Sequence, residues 1–115
     1  MQIQVNTVKN VDTTPEWLAS LEEQLTSSLA RFRDGITRLE VHLRDANGDK
    51  SGAVDKECML EARLAGRDPV AVIHKADRFE RAVSGARDKL VRLLSRQVAR
   101  QRPPKGQDPF EAVLT

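Results

Sequence analysis

The sequence predicts an α+β domain with the element order β-α-β-β-β-α, a four-stranded sheet with two helices packed on one face. Three observations carry this reading. Short stretches alternate polar and apolar residues, as half-buried strands do. Two longer stretches repeat apolar residues at helical spacing. Turn-forming Gly, Pro, Asn and Asp separate them. A chain of 115 residues holds one domain with a real core and is too short for two.

"MQIQVN" opens the chain as a short strand with Ile3 and Val5 on one side. "TTPEWLASLEEQLTSSLARF" follows as a helix. Thr14 is the predicted N-cap, Pro15 occupies a position that needs no amide, and Glu16 suits the positive helix end. Leu18, Leu21, Leu25, Leu29 and Phe32 form its buried stripe, and Asp34-Gly35 ends it. In "ITRLEVHLRDANG", Leu39, Val41 and Leu43 face the core, while Arg38, Glu40, His42 and Arg44 face away. "ECMLEARLAG" turns Cys58, Leu60, Ala62 and Leu64 inward. After a turn at Gly66 to Pro69, "VAVIHKA" completes the meander with Val70 and Val72 inside. Asp77, with Glu80 three residues on, predicts a capping box for a long second helix, which Pro103-Pro104 stops. One polar face along the strands implies a sheet covered on one side only. Residues 1–102 are therefore read as the domain, and 103–115 as a flexible C-terminal tail.

Composition narrows the function. Hydrophobic residues make up 39% and charged residues 31%, which suits a soluble globular protein, whereas three Phe, one Trp and no Tyr do not suit a surface that stacks many bases. No apolar run is long enough for a membrane span, and the first residues lack the pattern of a secretion signal. The single Cys58 cannot staple a secreted fold alone, so a reduced, cytoplasmic setting is expected.

The charge is uneven. Of 19 basic residues in the chain, nine lie between Arg78 and Lys105, a segment with only two acidic ones. On a helical wheel Phe79, Ala82, Val83, Ala86, Leu90, Leu93 and Leu94 form the packing face. Arg78, Arg81, Lys89, Arg92, Arg96 and Arg100 share roughly 100° of arc beside it. Gly85 falls in the same arc, where its missing side chain leaves room for close approach by a partner's backbone. Arg92, Arg96 and Arg100 repeat at i,i+4, which costs a few tenths of a kcal/mol per like-charged pair in an isolated helix. Stability alone does not ask for such a row. Guanidinium groups match phosphate oxygens, so a nucleic-acid backbone is the favoured partner over a merely solvated face.

Other chemistry finds little support. Asp45, Asn47 and Asp49 imitate the start of an EF-hand loop, but Lys50 and Lys56 stand where Gly and Glu are needed. Cys58, His42 and His74 match no zinc spacing. No catalytic constellation appears, so no enzyme, cofactor or metal is expected. Cys58 reads as a small core residue, His42 as a group on the open face and His74 as structural.

The order of elements and three motifs, "MQIQVN", "ITRLEVHL" and "AVSGARDKLVRLLSR", resemble the ribosome hibernation-promoting factor and ribosome-associated translation inhibitor family, also called the sigma-54 modulation family. In the last motif Ala82-Val83 and Lys89-Leu90-Val91-Arg92-Leu93-Leu94 correspond to the family's alanine-aliphatic step and its Lys-Leu-x-Arg-x-Leu run. "DKECMLEARLAG" looks like a proteobacterial subgroup. The similarity covers about residues 1–102. It implies a fold similar to a double-stranded RNA-binding domain. It also implies a cytoplasmic protein of bacterial stress and stationary phase that binds the small ribosomal subunit and blocks the mRNA and tRNA channel. Ribosomal RNA would then meet Arg78, Arg81, Lys89, Arg92, Arg96 and Arg100, with Lys75 and Arg38 adding contacts at the edge. Where many relatives have Asp-Met-Tyr at the helix entry, this chain has Arg78, Phe79 and Glu80. The C-terminal domain that pairs ribosomes in long relatives is expected to be absent, and neither a membrane nor a small-molecule substrate is an expected partner. Two other readings remain open: a general module for structured RNA, and a protein-interaction domain using Ile73 and Met59 on the open sheet face.

Overall fold

A computed structural model describes residues 1–8, 11, 13–46 and 55–101, the last three as backbone only. The elements are β1 (Gln2–Thr7), α1 (Pro15–Ser28), a 3-10 turn (Ala30–Phe32), β2 (Ile36–Asp45), β3 (Lys56–Leu64), β4 (Val70–Ala76) and α2 (Phe79–Gln101). The sheet runs β1-β2-β3-β4. β1 pairs parallel with β2, and the other two pairings are antiparallel. A parallel neighbour needs a crossover connection, and α1 supplies it. The remaining strands follow as a meander.

Alternation along the strands puts Leu39, Val41 and Leu43 of β2 and Cys58, Leu60 and Ala62 of β3 on the inner face, all essentially inaccessible to solvent. Leu21, Leu25 and Leu29 from α1 and Ala82, Val83, Ala86, Leu90 and Leu94 from α2 complete one core. α2 lies over β3 and β4. On β4, Val70, Val72, His74 and Ala76 turn toward the helix, and Ala71, Ile73 and Lys75 are exposed. This is the predicted α+β architecture, with Val70 and Val72 of β4 packed against the core as expected.

Several local expectations are corrected. α1 stops at Ser28, and the chain tightens into the 3-10 turn rather than continuing as α-helix to Phe32; the Phe32 and Gly35 amides donate to the carbonyls of Leu29 and Phe32. Thr14 does cap α1, its hydroxyl accepting from the Trp17 amide at 3.1 Å. Leu18 is only half-buried. α2 begins at Phe79, one residue later than a cap at Asp77 requires, and the Asp77 carboxylate accepts from Arg81 instead. Gly66, with φ 70°, makes the β3–β4 turn, a conformation that costs glycine nothing. The EF-hand-like segment at 47–50, Pro103-Pro104 and the tail at 103–115 lie outside the described residues.

Candidate nucleic-acid interface

The basic arc of α2 lies beside the edge strand β4, and Gly85 shows why. A Cβ built on Gly85 would stand 2.1 Å from the His74 Cδ2 atom and 2.3 Å from Nε2. The missing side chain therefore makes room for the imidazole of β4 and not for an external partner, which corrects the sequence expectation. One turn on, the Lys89 ammonium donates to the backbone carbonyl of Ile73 at 2.7 Å. It thereby occupies one of the backbone groups that an edge strand leaves open to other chains.

Arg78, Arg81, Lys89, Arg92 and Arg96 are all exposed. Arg81 forms an i,i+4 ion pair with Asp77 at 3.3 Å. Arg78, Arg92 and Arg96 have no ion pair among the described residues. Asp88, the acidic residue nearest Arg92 on the helix, pairs with Arg87 at 3.3 Å. Arg92 leans toward α1, lining a shallow groove with Ser28, Arg87, Asp88 and Val91, while Lys89 leans toward β4. The cations thus form a band across the exposed side of α2 rather than one narrow row. Arg100 falls in α2, and its side chain lies outside the described residues.

Lys75 is close to this band. It projects from the open face of β4 two residues beyond Ile73, and its ammonium lies 3.8 Å from Glu57, which also holds Arg44 at 3.1 Å. Arg38 is elsewhere. It stands on β2, separated from β4 by β3 and so by roughly 9–10 Å across the sheet. Its guanidinium pairs with Glu40 at 2.8 Å.

Sequence reasoning missed two groups. The first is Arg31, which hydrogen-bonds Ser95 of α2 and lies 4.6 Å from the centre of the Phe32 ring. It adds a cation beside Arg92 and Arg96; only the tertiary meeting of the 3-10 turn with α2 reveals it. The second is Glu40, which is 9% exposed although it stands on the open sheet face. Arg38, Arg63 at 3.0 Å and His42 at 3.3 Å converge on its carboxylate. The hydrogen bond from Arg63, with the nearby charge of Arg38, holds its pKa below the ordinary carboxylate value, against an opposing effect of burial. The cross-strand register Glu40↔Glu61 and Arg38↔Arg63 builds the network. Ligand-type atoms of Glu40, His42 and Glu61 come within 4.8 Å of one another. Two guanidiniums already sit on the Oε2 atom of Glu40 and oppose a further cation, so this cluster reads as an ion network. Met59 and Ile73 pair across strands beside it, and Ile73 is 48% exposed. Cys58 is buried in the core, which pushes its thiol pKa up to about 12.

Fold and surface together define a small α+β domain whose cations gather on the long C-terminal helix and the neighbouring sheet edge. Residues 3–102 match the family described as Sigma 54 modulation protein / S30EA ribosomal protein, and the chain belongs to that family. Among solved structures, the fold is similar to the N-terminal domain of Protein Y from Thermus thermophilus, with a TM-score of 0.66 and 22% identity over 84% of this chain and 98% of that one. It is also similar to a ribosomal subunit interface protein from Coxiella burnetii, with a TM-score of 0.63 and 24% identity over 86% of this chain and 99% of the other. At these identities the two likenesses establish the fold. No curated protein matches the sequence.

Proposed function

We propose that this protein is a ribosome-associated translation inhibitor that docks on the small subunit through the basic face of α2 and sterically blocks the mRNA and tRNA channel. Family membership supports the ribosome as partner, as does the fold shared with a protein titled as a ribosomal subunit interface protein. The observation that carries the docking face is the group of Arg78, just before α2, and Arg92 and Arg96 on it, all exposed without a carboxylate partner among the described residues. Leaving charges unneutralised on a helix that also carries core residues brings no folding benefit. It does leave guanidinium groups free to fork onto phosphate oxygens.

The mechanism is occupancy. The domain presents its cations already placed, because the buried Leu90 and Leu94 fix the rotation of α2 against the sheet. Ribosomal RNA is recognised through backbone shape and charge, since structured RNA hides its base edges in a deep groove. Lys75 extends the surface over the edge of β4, while Arg38, held by Glu40 on the sheet face, adds little to phosphate binding. Bound in the channel, the domain excludes tRNA and mRNA by volume and needs no chemical step.

The test is co-sedimentation with purified small subunits combined with inhibition of cell-free translation. Arg92→Glu with Arg96→Glu is expected to abolish both while circular dichroism and thermal unfolding stay as in the wild type. Unchanged binding and inhibition in that folded variant would refute the docking face.

A further inference from the structure

At the C-terminal end of α2 the core opens into a cleft of about 210 Å³. Phe32, Ile36, Leu64, Leu94 and Val98 give it an apolar lining, and Arg31 and Arg67 stand at its border. Both arginines are exposed. It is smaller than the ~300–1,000 Å³ typical of small-molecule sites and suits one or two apolar side chains carried by a peptide. Two guanidiniums at its border ask that the peptide also be acidic.

The chain itself supplies such a peptide. Residues 108–114, "DPFEAVL", hold Phe110, Val113 and Leu114 together with Asp108 and Glu111. They lie beyond Lys105, which is the last basic residue of the sequence, and beyond the described residues. Val98 lines the cleft about one helical turn before Gln101, the last described residue of α2. From Gln101 to Phe110 an extended chain spans up to about 30 Å, several times the ~5 Å of one helical turn. A tether of that length puts the peptide at millimolar effective concentration, so weak contacts suffice.

We propose that the segment Asp108–Leu114 docks back into this cleft, with Phe110 on the apolar lining and Asp108 and Glu111 paired with Arg67 and Arg31. Docking covers the open end of the core. It also sets carboxylates beside Arg31 and Arg67, lowering the positive potential at that end of the helix.

The test uses the isotope-labelled full chain without any ribosome, so its outcome is independent of the proposed partner. Methyl signals of Ile36, Leu64, Leu94 and Val98 are compared between the wild type and Phe110→Ala. They are expected to shift, while those of Leu39 and Val41 at the sheet centre stay in place. The wild-type positions are expected to be the same at tenfold dilution. Arg67→Glu with Arg31→Glu is expected to produce the same shifts as Phe110→Ala, and adding Asp108→Arg and Glu111→Arg to move them back. Cleft signals that do not respond to Phe110→Ala would overturn the proposal. So would wild-type signals that move on dilution, because the occupant would then be a second copy.

Discussion

One missing methyl group at Gly85 sets how closely α2 lies against β4. The imidazole of His74 fills the space that a Cβ would need, at 2.1 Å from the nearest ring atom, so Gly85→Ala forces either the ring or the helix to move. Alanine's better helix propensity, about 1 kcal/mol, is opposed by overpacking, which costs about 1–3 kcal/mol. The expected result in urea unfolding is a net loss for Gly85→Ala that shrinks or reverses when His74→Ala is added. Strict additivity of the two changes would show that the contact carries no energy. The sequence places Gly85 within the basic arc of the wheel, which suggests an opening toward a partner; only the packing of β4 under that part of the arc shows the opening already filled. Glu40 is a similar case. Alternation assigns it correctly to the open face, but its burial depends on arginines from two strands meeting over it. With its folded pKa below the unfolded value near 4.5, the network stabilises the fold above that pH and stops doing so as pH falls through the depressed folded value. The stability advantage of wild type over Glu40→Gln should therefore be present at neutral pH and disappear on acidification below about 4.5. A difference constant over that range would remove ionisation of Glu40 as its source.

At the scale of elements, each strand and helix was readable because its burial is one-sided. β3 alternates throughout and β2 alternates its apolar residues from Leu39 onward, after an irregularity between Ile36 and Arg38, and α2 keeps its apolar residues within one face for most of its length. Boundaries were less readable. The leucine period of α1 runs on to Leu29 and Phe32 although the backbone changes to a 3-10 turn after Ser28, because a tighter turn can still deliver both side chains to the same core. The entry to α2 shifted because Asp77 found a guanidinium partner in Arg81. The division of labour within α2 leads to paired expectations. Leu90→Ala, at a position with no solvent exposure, should cost roughly 2–5 kcal/mol in chemical denaturation. Arg92→Gln with Arg96→Gln should change stability by no more than about 0.5 kcal/mol, since exposed positions away from packing features rarely do more. A large loss from the arginine pair would instead assign those side chains to the fold.

At the scale of the whole molecule, the near-balance of charge, +2 overall, conceals a separation between an ion-paired sheet face and a helix with unpartnered cations. The uneven distribution along the chain was legible, but its division into paired and unpaired groups was not, because pairs such as Arg44–Glu57 and Lys75–Glu57 depend on strand register. That division gives different predicted weights to cations that look alike in the sequence. Each phosphate contact releases counterions and adds about 0.9 to the steepness of log affinity against log salt on duplex DNA, or about 0.7 on single strands. If Arg78, Arg81, Lys89, Arg92 and Arg96 all reach phosphates, affinity for small subunits at fixed magnesium should fall by several hundredfold between 50 and 200 mM salt on the duplex slope. Arg92→Gln with Arg96→Gln should reduce the steepness by about two, whereas Arg38→Gln, whose guanidinium is engaged by Glu40, should leave it nearly unchanged. Titrations of the wild type and both variants across that salt range distinguish the two sets. Equal reductions from Arg38 and the helix pair would mean that the open sheet face, rather than the exposed side of α2, meets the RNA.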